Sequence, residues 1–361
     1  MKVPSITSYL IPLLGCSSLV AVADTFTLKN GTVLEGKIVP PLQADAYVIE
    51  YQVTPRIKDK KTVPKADVVK IVTEKLDEKA FELIAKLVPT PDFLTIDEYK
   101  QRLAAVNAYI AKYPKSSKLK EANEILKTLS DESAEVEAGG RKYQGIMIKA
   151  AEYRANAFDL DARALETKIR AAAKNSQWIL ALRAFADLDK DFQTATCYRE
   201  VLPVVVKALQ TLRPQLKSSV ETFDARMEKQ TAEVEAMAPA VRDETKRAIE
   251  QEAKGLERTY QQEKSAQLTW VTPNPKHKAS LDDDLSLADS ELQRLTTLPP
   301  ATTDGGKVYR STWKTIHSDA DAEAMEKALA AAEAAALPER YLKMLQEAAK
   351  ASGVKPASEE N

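Results

Sequence analysis

The chain has 361 residues, of which 44% are hydrophobic and 29% are charged. This length favours two or three domains over one minimal domain. Only 10 residues are glycine, and the overall composition favours helix. The formal net charge of -1 excludes a general electrostatic attraction to nucleic acid or to acidic membranes.

Residues 1–23 have the features of an export signal. Lys2 gives a positive start, and a mainly apolar stretch covers residues 9–22. Small residues precede a cleavage point between Ala23 and Asp24, so the mature chain is expected to begin at Asp24. The expected location is the periplasm or the outer envelope.

A lipoprotein box is the alternative interpretation of the same segment. In the sequence Leu-Leu-Gly-Cys at residues 13–16, Cys16 would be lipidated and would become the first residue. Against this, Leu14 is not the preferred small residue, and residues 17–23 would form an unusually apolar tether. Soluble export is favoured, and lipid anchoring stays open.

Residues 24–73 are predicted to form a small β-module. Asn30-Gly31 is a favoured two-residue hairpin turn, and Gly36 lies where a bend or a bulge is expected. Residues 47–53 are rich in aromatic and β-branched side chains. Five short strands in this segment predict an SH3-like or Sm-like small barrel.

From residue 74 onward the apolar residues recur with helical period. Residues 74–137 are predicted to form a helical hairpin around a stiff Pro-Thr-Pro-Asp linker at residues 89–92. A capping box at residues 95–98 opens one helix, and Pro114 ends it.

Residues 138–202 are predicted to form a helical, repeat-like region, after a small extended turn at residues 142–148. The spacing of Ala181, Phe185 and Leu188 resembles half of a tetratricopeptide repeat. A clean period of about 34 residues is missing, so TPR-like helix pairs are expected rather than a true array.

Residues 203–268 are predicted to form a long antiparallel coiled-coil hairpin. Pro203 is placed in a first helical turn or at a kink, and residues 237–239 separate two legs whose apolar positions advance mainly by threes and fours. A leg of about 28 residues would reach about 40 Å. The hairpin is therefore expected to be an arm that projects from the body.

The C-terminal part, residues 269–353, is predicted to be helical. It begins with a rigid corner at residues 270–275, Ser280 is expected to cap the next helix, and residues 299–306 are expected to form a loop. Residues 354–361 are expected to be a disordered tail.

The sequence contains no motif of a known catalytic mechanism, such as HExxH, GxSxG, a P-loop or paired zinc-binding cysteines. The only two histidines, His277 and His317, are interpreted as surface or capping residues. Cys197 is interpreted as a buried small hydrophobic residue. We therefore expect no enzymatic activity, no cofactor and no metal site.

Two charged runs have alternative interpretations. The three aspartates at residues 282–284 lack the pattern of a calcium loop and are interpreted as an acidic first helical turn. A basic cluster lies on the expected barrel and consists of Arg56, Lys58, Lys60, Lys61 and Lys65. Solvated charges explain this cluster best, and contact with anionic lipid or glycan is the alternative. Nucleic-acid binding is not expected, because interleaved aromatic residues are lacking.

Several segments together resemble the bacterial PTPDL family, which is named for a Pro-Thr-Pro-Asp-Leu linker. The linker reads Pro89-Thr90-Pro91-Asp92-Phe93 here, with a conservative change at its last position. The other matching segments are Leu28-Lys29-Asn30-Gly31, Tyr113-Pro114-Lys115-Ser116, Asp161-Ala162-Arg163 and residues 270–277. The resemblance implies an exported location and no particular activity.

These features predict a non-enzymatic envelope protein that acts as a scaffold through helical surfaces. Its expected partners are other envelope proteins bound by helix packing, with self-association through the hairpin. The alternative is a surface-binding module whose barrel contacts cell-wall glycan or lipid headgroups, with the helices as a spacer. Membrane contact would then be peripheral or through a lipid anchor.

Overall fold

A computed structural model of the chain describes residues 24–54, 57–72, 75–318 and 320–352. These residues are mainly helical and include an N-terminal antiparallel sheet of five strands, as the sequence predicts in outline. The expected signal at residues 1–23, with Cys16 and Ala23, and the expected tail at residues 354–361 lie outside the described residues.

The chain divides into two compact units. The first unit contains the described residues up to Pro89 together with Asp97–Asp131. The second unit contains Thr90–Ile96 and the described residues from Glu132 onward.

The sheet of the first unit has the strand order β4-β3-β2-β1-β5, with antiparallel neighbours. Its strands are β1 (Asp24–Leu28), β2 (Val33–Ile38), β3 (Ala46–Thr54), β4 (Ile57–Pro64) and β5 (Val68–Val72). The chain reverses at the predicted Asn30-Gly31, and Gly31 has a φ of 80°, which favours glycine. The connection is longer than the predicted two residues, because β1 ends at Leu28 and β2 begins at Val33. Phe26, Ile49 and Val63 are buried in the small core of the sheet.

Gly36 has a different role from the expected bend or bulge. The register shifts of the sheet lie between Thr27 and Leu28 and between Gln52 and Thr54. A Cβ atom at Gly36 would lie 2.5 Å from the carbonyl oxygen of Glu50 on β3. Glycine is therefore required here because β2 and β3 approach each other closely.

Three helices follow the sheet, namely α1 (Leu76–Ala85), α2 (Ile96–Lys112) and α3 (Leu119–Glu137). In agreement with the sequence, α2 begins directly after Thr95 and ends before Pro114. The rings of Phe81 on α1 and Tyr109 on α2 have centroids 5.9 Å apart. The Ser116 hydroxyl, after α2, donates a hydrogen bond of 2.6 Å to Asp77 on α1.

The second unit contains a small hairpin and ten helices among the described residues. The hairpin, at the expected position, is formed by β6 (Arg141–Tyr143) and β7 (Ile146–Ile148). The helices are α4 (Ala150–Ala155), α5 (Ala157–Lys174), α6 (Trp178–Asp191), α7 (Thr196–Glu221), α8 (Phe223–Glu235), α9 (Pro239–Ser265), α10 (Lys278–Thr296), α11 (Gly305–Ile316), α12 (Ala322–Ala334) and α13 (Glu339–Ala351).

One large hydrophobic core organises this unit. Helix α5 packs on α6 and α7, α7 packs on α10, and α11 packs on α12 and α13. Four aromatic rings meet inside the core, namely those of Phe158, Phe192, Tyr309 and Tyr341. Rings in such edge-on or tilted contact stabilise a core beyond their buried area.

Pro203 lies about two turns inside α7 and not in its first turn. A proline in a helix interior removes one backbone hydrogen bond. Cys197, Tyr198 and Val201 lie in the preceding turns of α7 and are buried in the core. The free energy gained by burying these residues offsets the lost backbone hydrogen bond. The sequence around Pro203 does not reveal this burial.

Gly305 and Gly306, predicted to belong to a loop, form the first turn of α11. Asp304 caps this helix and accepts a hydrogen bond of 2.9 Å from the Lys307 amide. A Cβ atom on Gly306 would overlap the carboxylate of Asp159 on α5. The two glycines therefore allow close packing of α11 in the core.

Gly140 and Gly255 support a matched pair of predictions for the second unit. A Cβ atom at Gly140 would lie 2.6 Å from the carbonyl oxygen of Ile148 and 2.9 Å from that of Glu135. Because backbone atoms cannot move aside cheaply, Gly140→Ala is expected to lower the free energy of unfolding by about 1–3 kcal/mol. A Cβ atom at Gly255, inside α9, has nothing within 4 Å. Gly255→Ala should therefore raise this free energy by about 0.5–1 kcal/mol.

Urea unfolding followed by tryptophan fluorescence measures both effects. All three tryptophans of the chain, Trp178, Trp270 and Trp313, lie in the second unit, so their emission reports on that unit. Equal losses of stability in the two variants would contradict the prediction.

Candidate functional site: an exposed arm and its base

Helices α8 and α9, with the connecting residues 236–238, form the segment that we call the arm. Each of the two helices buries a single residue, Val234 on α8 and Glu263 on α9. The partly or fully buried positions on α8 lie on one side of the helix and are Phe223, Arg226, Met227, Gln230 and Val234. Only a narrow stripe of α8 is therefore covered, and most of its side chains face solvent.

The connection between α8 and α9 is apolar and exposed. Residues 236–241 have the sequence Ala-Met-Ala-Pro-Ala-Val, and we call them the tip. Met237 and Val241 are 38% and 56% exposed. Next to the tip, Glu235 on α8 forms an ion pair of 2.6 Å with Lys246 on α9. The predicted break at residues 237–239 overlaps the observed connection at residues 236–238. Residues 203–221 of the predicted first leg belong to α7, which packs in the hydrophobic core, so the arm begins only at Phe223.

Residues 270–277, which we call the corner, and the first residue of α10 contact α8 through polar groups. Lys278 forms an ion pair of 2.9 Å with Asp224. Arg226 donates a hydrogen bond of 2.7 Å to the carbonyl oxygen of Pro275. These contacts attach the start of α8 to the corner.

The corner also contacts α9. Lys276 forms an ion pair of 2.8 Å with Glu252. His277 Nε2 lies 2.9 Å from Glu257, and the His277 ring lies 4.9 Å from the ring of Tyr260. The corner therefore contacts both helices of the arm.

His277, and not the predicted Ser280, is the N-cap of α10. Its Nδ1 accepts a hydrogen bond of 3.2 Å from the Ser280 amide, so Nε2 carries the proton and donates to Glu257. The Ser280 hydroxyl donates to the carbonyl oxygen of His277 and accepts from the amide of Asn274. The interpretation of His277 as a capping residue is confirmed.

Three ionisable side chains, two of them buried, hold the backbone at the start of the corner. Arg183 Nε, from α6, donates a hydrogen bond of 2.7 Å to the Trp270 carbonyl oxygen. The Val271 amide donates to Asp284 Oδ1 of α10 at 3.1 Å, and the Thr272 amide donates to Glu263 Oε2 of α9 at 2.6 Å. We call Arg183, Glu263 and Asp284 the cradle.

The charges of the cradle are only partly balanced. Arg183 and Glu263 form an ion pair of 3.0 Å, and their side chains are 15% and 8% exposed. Burial acts to raise the pKa of Glu263, but bonds from Thr272 and Arg183 bring the pKa below its ordinary value. Burial raises the pKa of Asp284 to about 7, against the lowering effects of the Val271 amide and Arg183.

The three aspartates at residues 282–284 do not form an acidic first turn. Helix α10 begins at Lys278, so the aspartates follow its first turn. Asp283 accepts hydrogen bonds of 2.8 Å from Tyr260 and 2.9 Å from Lys264 on α9, and Asp284 is buried. The positions of these two aspartates are therefore explained by tertiary contacts and not by an interaction with the dipole at the start of the helix.

The basic cluster of the sheet is distributed over two faces. Lys58, Lys60 and Lys61 lie on β4 and are exposed, Lys65 lies in the short 3-10 helix that follows, and Arg56 is outside the described residues. Because side chains alternate along a strand, Lys58 and Lys60 share one face and Lys61 lies on the other. Lys58 pairs with Glu50 at 3.2 Å, and Lys65 donates to the Ala44 carbonyl oxygen at 2.6 Å.

The segments of the family resemblance that lie in the second unit have structural roles. Thr90 in the linker bonds to Glu132, and Lys142 Nζ bonds to both, at 2.8 Å to Thr90 and 2.6 Å to Glu132. Asp92 accepts hydrogen bonds from the amides of residues 144 and 145 in the β6–β7 turn. Asp161 accepts hydrogen bonds from the hydroxyl groups of Tyr153 and Tyr341.

The second unit also has an open polar cavity of about 390 Å³. Its lining residues include Asn156, Asp159, Arg163, Thr196 and Arg310. Arg310 pairs with Asp159, and Arg163 pairs with Glu166 and Glu200. The cationic side chains of the cavity are thus neutralised by the protein itself.

Cys197 and His317 occupy structural positions. Cys197 is buried, and burial raises its pKa to about 12, so its thiol is protonated at neutral pH. His317 ends α11 and stacks on Trp313 with ring centroids 4.5 Å apart.

In the described part of the chain, no group of three or more His, Cys, Asp or Glu side chains is placed to hold a metal ion. No described helix has the length and apolar character needed to cross a membrane.

No family model, no curated protein and no solved structure matches the chain.

Proposed function

We propose that this protein is a non-enzymatic scaffold that binds protein partners through its helical surfaces, chiefly through the arm. The observation that carries this proposal is a contrast within one segment. The two helices of the arm expose most of their side chains, whereas the largely buried ion pair of Arg183 and Glu263 holds its base. A firmly held and otherwise solvent-exposed helical pair is suited to present a surface to a partner.

The tip is the part of the arm that we expect to contact a partner first. Met237 and Val241 expose apolar surface next to charged side chains of both helices. Interface cores favour apolar side chains with a polar rim, and methionine adapts well to a partner surface. Self-association through the same tip would use the same chemistry.

We extend this proposal to the finer architecture and the location. The arm is proposed to be an antiparallel coiled-coil hairpin, the sheet an SH3-like or Sm-like barrel, and residues 138–202 a TPR-like, repeat-like region. The protein is proposed to be an exported member of the PTPDL family that acts in the periplasm or outer envelope. The spacing along α8 supports the first of these statements, and the sequence of residues 1–23 supports export.

A second candidate function places the contact surface on the sheet. Lys58 and Lys60 are exposed on one face of β4, where they could bind anionic lipid headgroups or acidic cell-wall glycan. The pairing of Lys58 with Glu50 weakens this candidate, because it reduces the net positive charge of that face.

Site-specific photocrosslinking of the full chain in its native envelope tests both candidates. A photoreactive amino acid at Met237 on the tip is compared with one at Leu180, an exposed apolar residue of α6. The scaffold proposal expects discrete protein adducts from position 237 that are several-fold stronger than those from position 180. A label at Lys60 that captures lipid or glycan, with no protein adducts from position 237, would favour the second candidate. Equal and diffuse labelling from positions 237 and 180 would contradict the scaffold proposal.

A further inference from the structure

Asp284 has one carboxylate oxygen that the protein leaves without a hydrogen-bond partner. Its Oδ1 atom accepts the Val271 amide, and the residue is 1% exposed. Its Oδ2 atom is fully enclosed and has no hydrogen-bond partner among the described residues. A buried carboxylate is costly unless it is paired, whereas a neutral carboxylic acid is much less so.

The charged groups around Asp284 do not supply a cation of its own. From α6, Arg183 is already paired with Glu263 of α9. On α9 and α10, Lys264 is paired with Asp283. On the α7 side of α10, Arg213 is paired with Asp289. Ionised Asp284 would therefore add one negative charge to a group whose other charges are already matched.

The position of Asp284 connects this charge to the base of the arm. Its acceptor bond holds the Val271 amide, and Arg183 and Glu263 hold the residues on either side. Glu263 belongs to the last turns of α9. Repulsion between Asp284 and Glu263 would act on the segment that joins α9 to α10.

We propose that Asp284 is a pH-dependent latch, which in its neutral form fastens residues 270–272 and the end of α9 and on ionisation loosens them. The attachment of the arm then weakens as the pH rises. The effect on partner binding rests on the scaffold function proposed above, but the latch itself can be observed in the isolated protein.

The direction of the pH dependence follows from burial. An ordinary aspartate has a pKa of 3.8, and burial raises the pKa of Asp284 to about 7. The folded state therefore holds a proton that the unfolded state has lost between these two values. The stabilisation is complete below pH 3.8, decreases as the pH rises toward 7, and is lost above it.

Hydrogen exchange of the full chain, measured by mass spectrometry at pH 5 and pH 8 and corrected for intrinsic exchange rates, tests the latch. Protection at residues 270–272 and in the last turns of α9 is expected to fall by more than about tenfold between these pH values. The reason is that Asp284 holds its proton more than about tenfold more tightly when residues 270–272 are in place than when this segment opens to exchange. Core helix α5 in the same sample is the internal reference and should change little.

Two variants test whether the pH dependence comes from Asp284 or from a neighbouring aspartate. Asp284→Asn keeps the acceptor oxygen for Val271 and cannot ionise, so protection there should no longer depend on pH. Asp282→Asn changes an exposed aspartate two residues away and should behave like the unchanged protein. Wild-type protection that is equal at pH 5 and pH 8, or the same pH dependence in Asp284→Asn, would overturn the latch.

The wild-type profile decides the question even if Asp284→Asn does not fold. A flat profile removes the latch and leaves the scaffold proposal intact. Absence of crosslinks from the tip would remove the scaffold proposal and leave the latch.

Discussion

Arg183→Ala is expected to lower the free energy of unfolding of the second unit by about 3–5 kcal/mol. The substitution leaves the Glu263 carboxylate buried without its cation and the Trp270 carbonyl oxygen without its donor. Loss of one partner of a buried ion pair is costly because the remaining charge stays out of water. Urea unfolding followed by tryptophan fluorescence measures the change.

Arg213→Ala is the matched control for this prediction. Arg213 also joins two helices, through an ion pair with Asp289, but the two side chains are 41% and 49% exposed. Water and salt screen such a pair, so its loss should cost no more than about 1 kcal/mol. If the two variants lost the same stability, the cradle would not hold the corner as we describe.

Lys142→Ala is expected to cost a similar amount, about 3–5 kcal/mol. The buried ammonium group bonds to both Glu132 and Thr90, and its removal leaves the Glu132 carboxylate without this cation in the protein interior. The backbone of Lys142 also accepts the Phe93 amide at 2.9 Å, so loosening this strand should speed hydrogen exchange at Phe93. Fluorescence-monitored unfolding and hydrogen exchange provide the two measurements.

Two further variants separate the charge of Lys142 from its packing. Lys343→Ala removes an exposed partner of Glu339 in the second unit, where the tryptophans lie, and should change stability by less than about 1 kcal/mol. The double replacement Lys142→Met with Glu132→Leu should restore much of the loss, because an apolar pair needs no desolvation of charge. A double variant as unstable as Lys142→Ala would show that the loss comes from packing and not from the broken ion pair.

Local patterns in the sequence are sufficient to predict much of the fold. The helical period from residue 74, the turn at Asn30-Gly31 and the break at residues 237–239 all depend on neighbours within a few positions. Such features can be predicted without knowledge of the tertiary contacts. The small hairpin near Gly145 is predictable for the same reason.

The base of the arm depends on contacts that no local pattern contains. Arg183 and Glu263 are 80 positions apart and meet only when α6 and α9 are placed by the core. Ser280 has the residue type expected of a helix cap, yet His277 takes that position because the serine hydroxyl bonds to the corner. The three aspartates at residues 282–284 are visible in the sequence. Whether they lie in the first turn of α10 or after it depends on where that helix begins.

Close packing explains the other differences between the predicted and the observed fold. Gly305 and Gly306 have the composition of a loop, and only the position of Asp159 shows that a helix must approach there without side chains. Pro203 stays inside α7 because buried neighbours compensate for its missing hydrogen bond. In both cases long-range contacts outweigh the local preference of the residue.

Hydrogen exchange along residues 223–272 of the full chain at pH 5 tests most directly whether the arm is exposed along its length and fixed at its base. We predict slow exchange at the amides of Val271 and Thr272 and in the last turns of α9, with fast exchange in the tip. Fast exchange of the whole segment at one common rate would contradict this, because a detached arm has no fixed base.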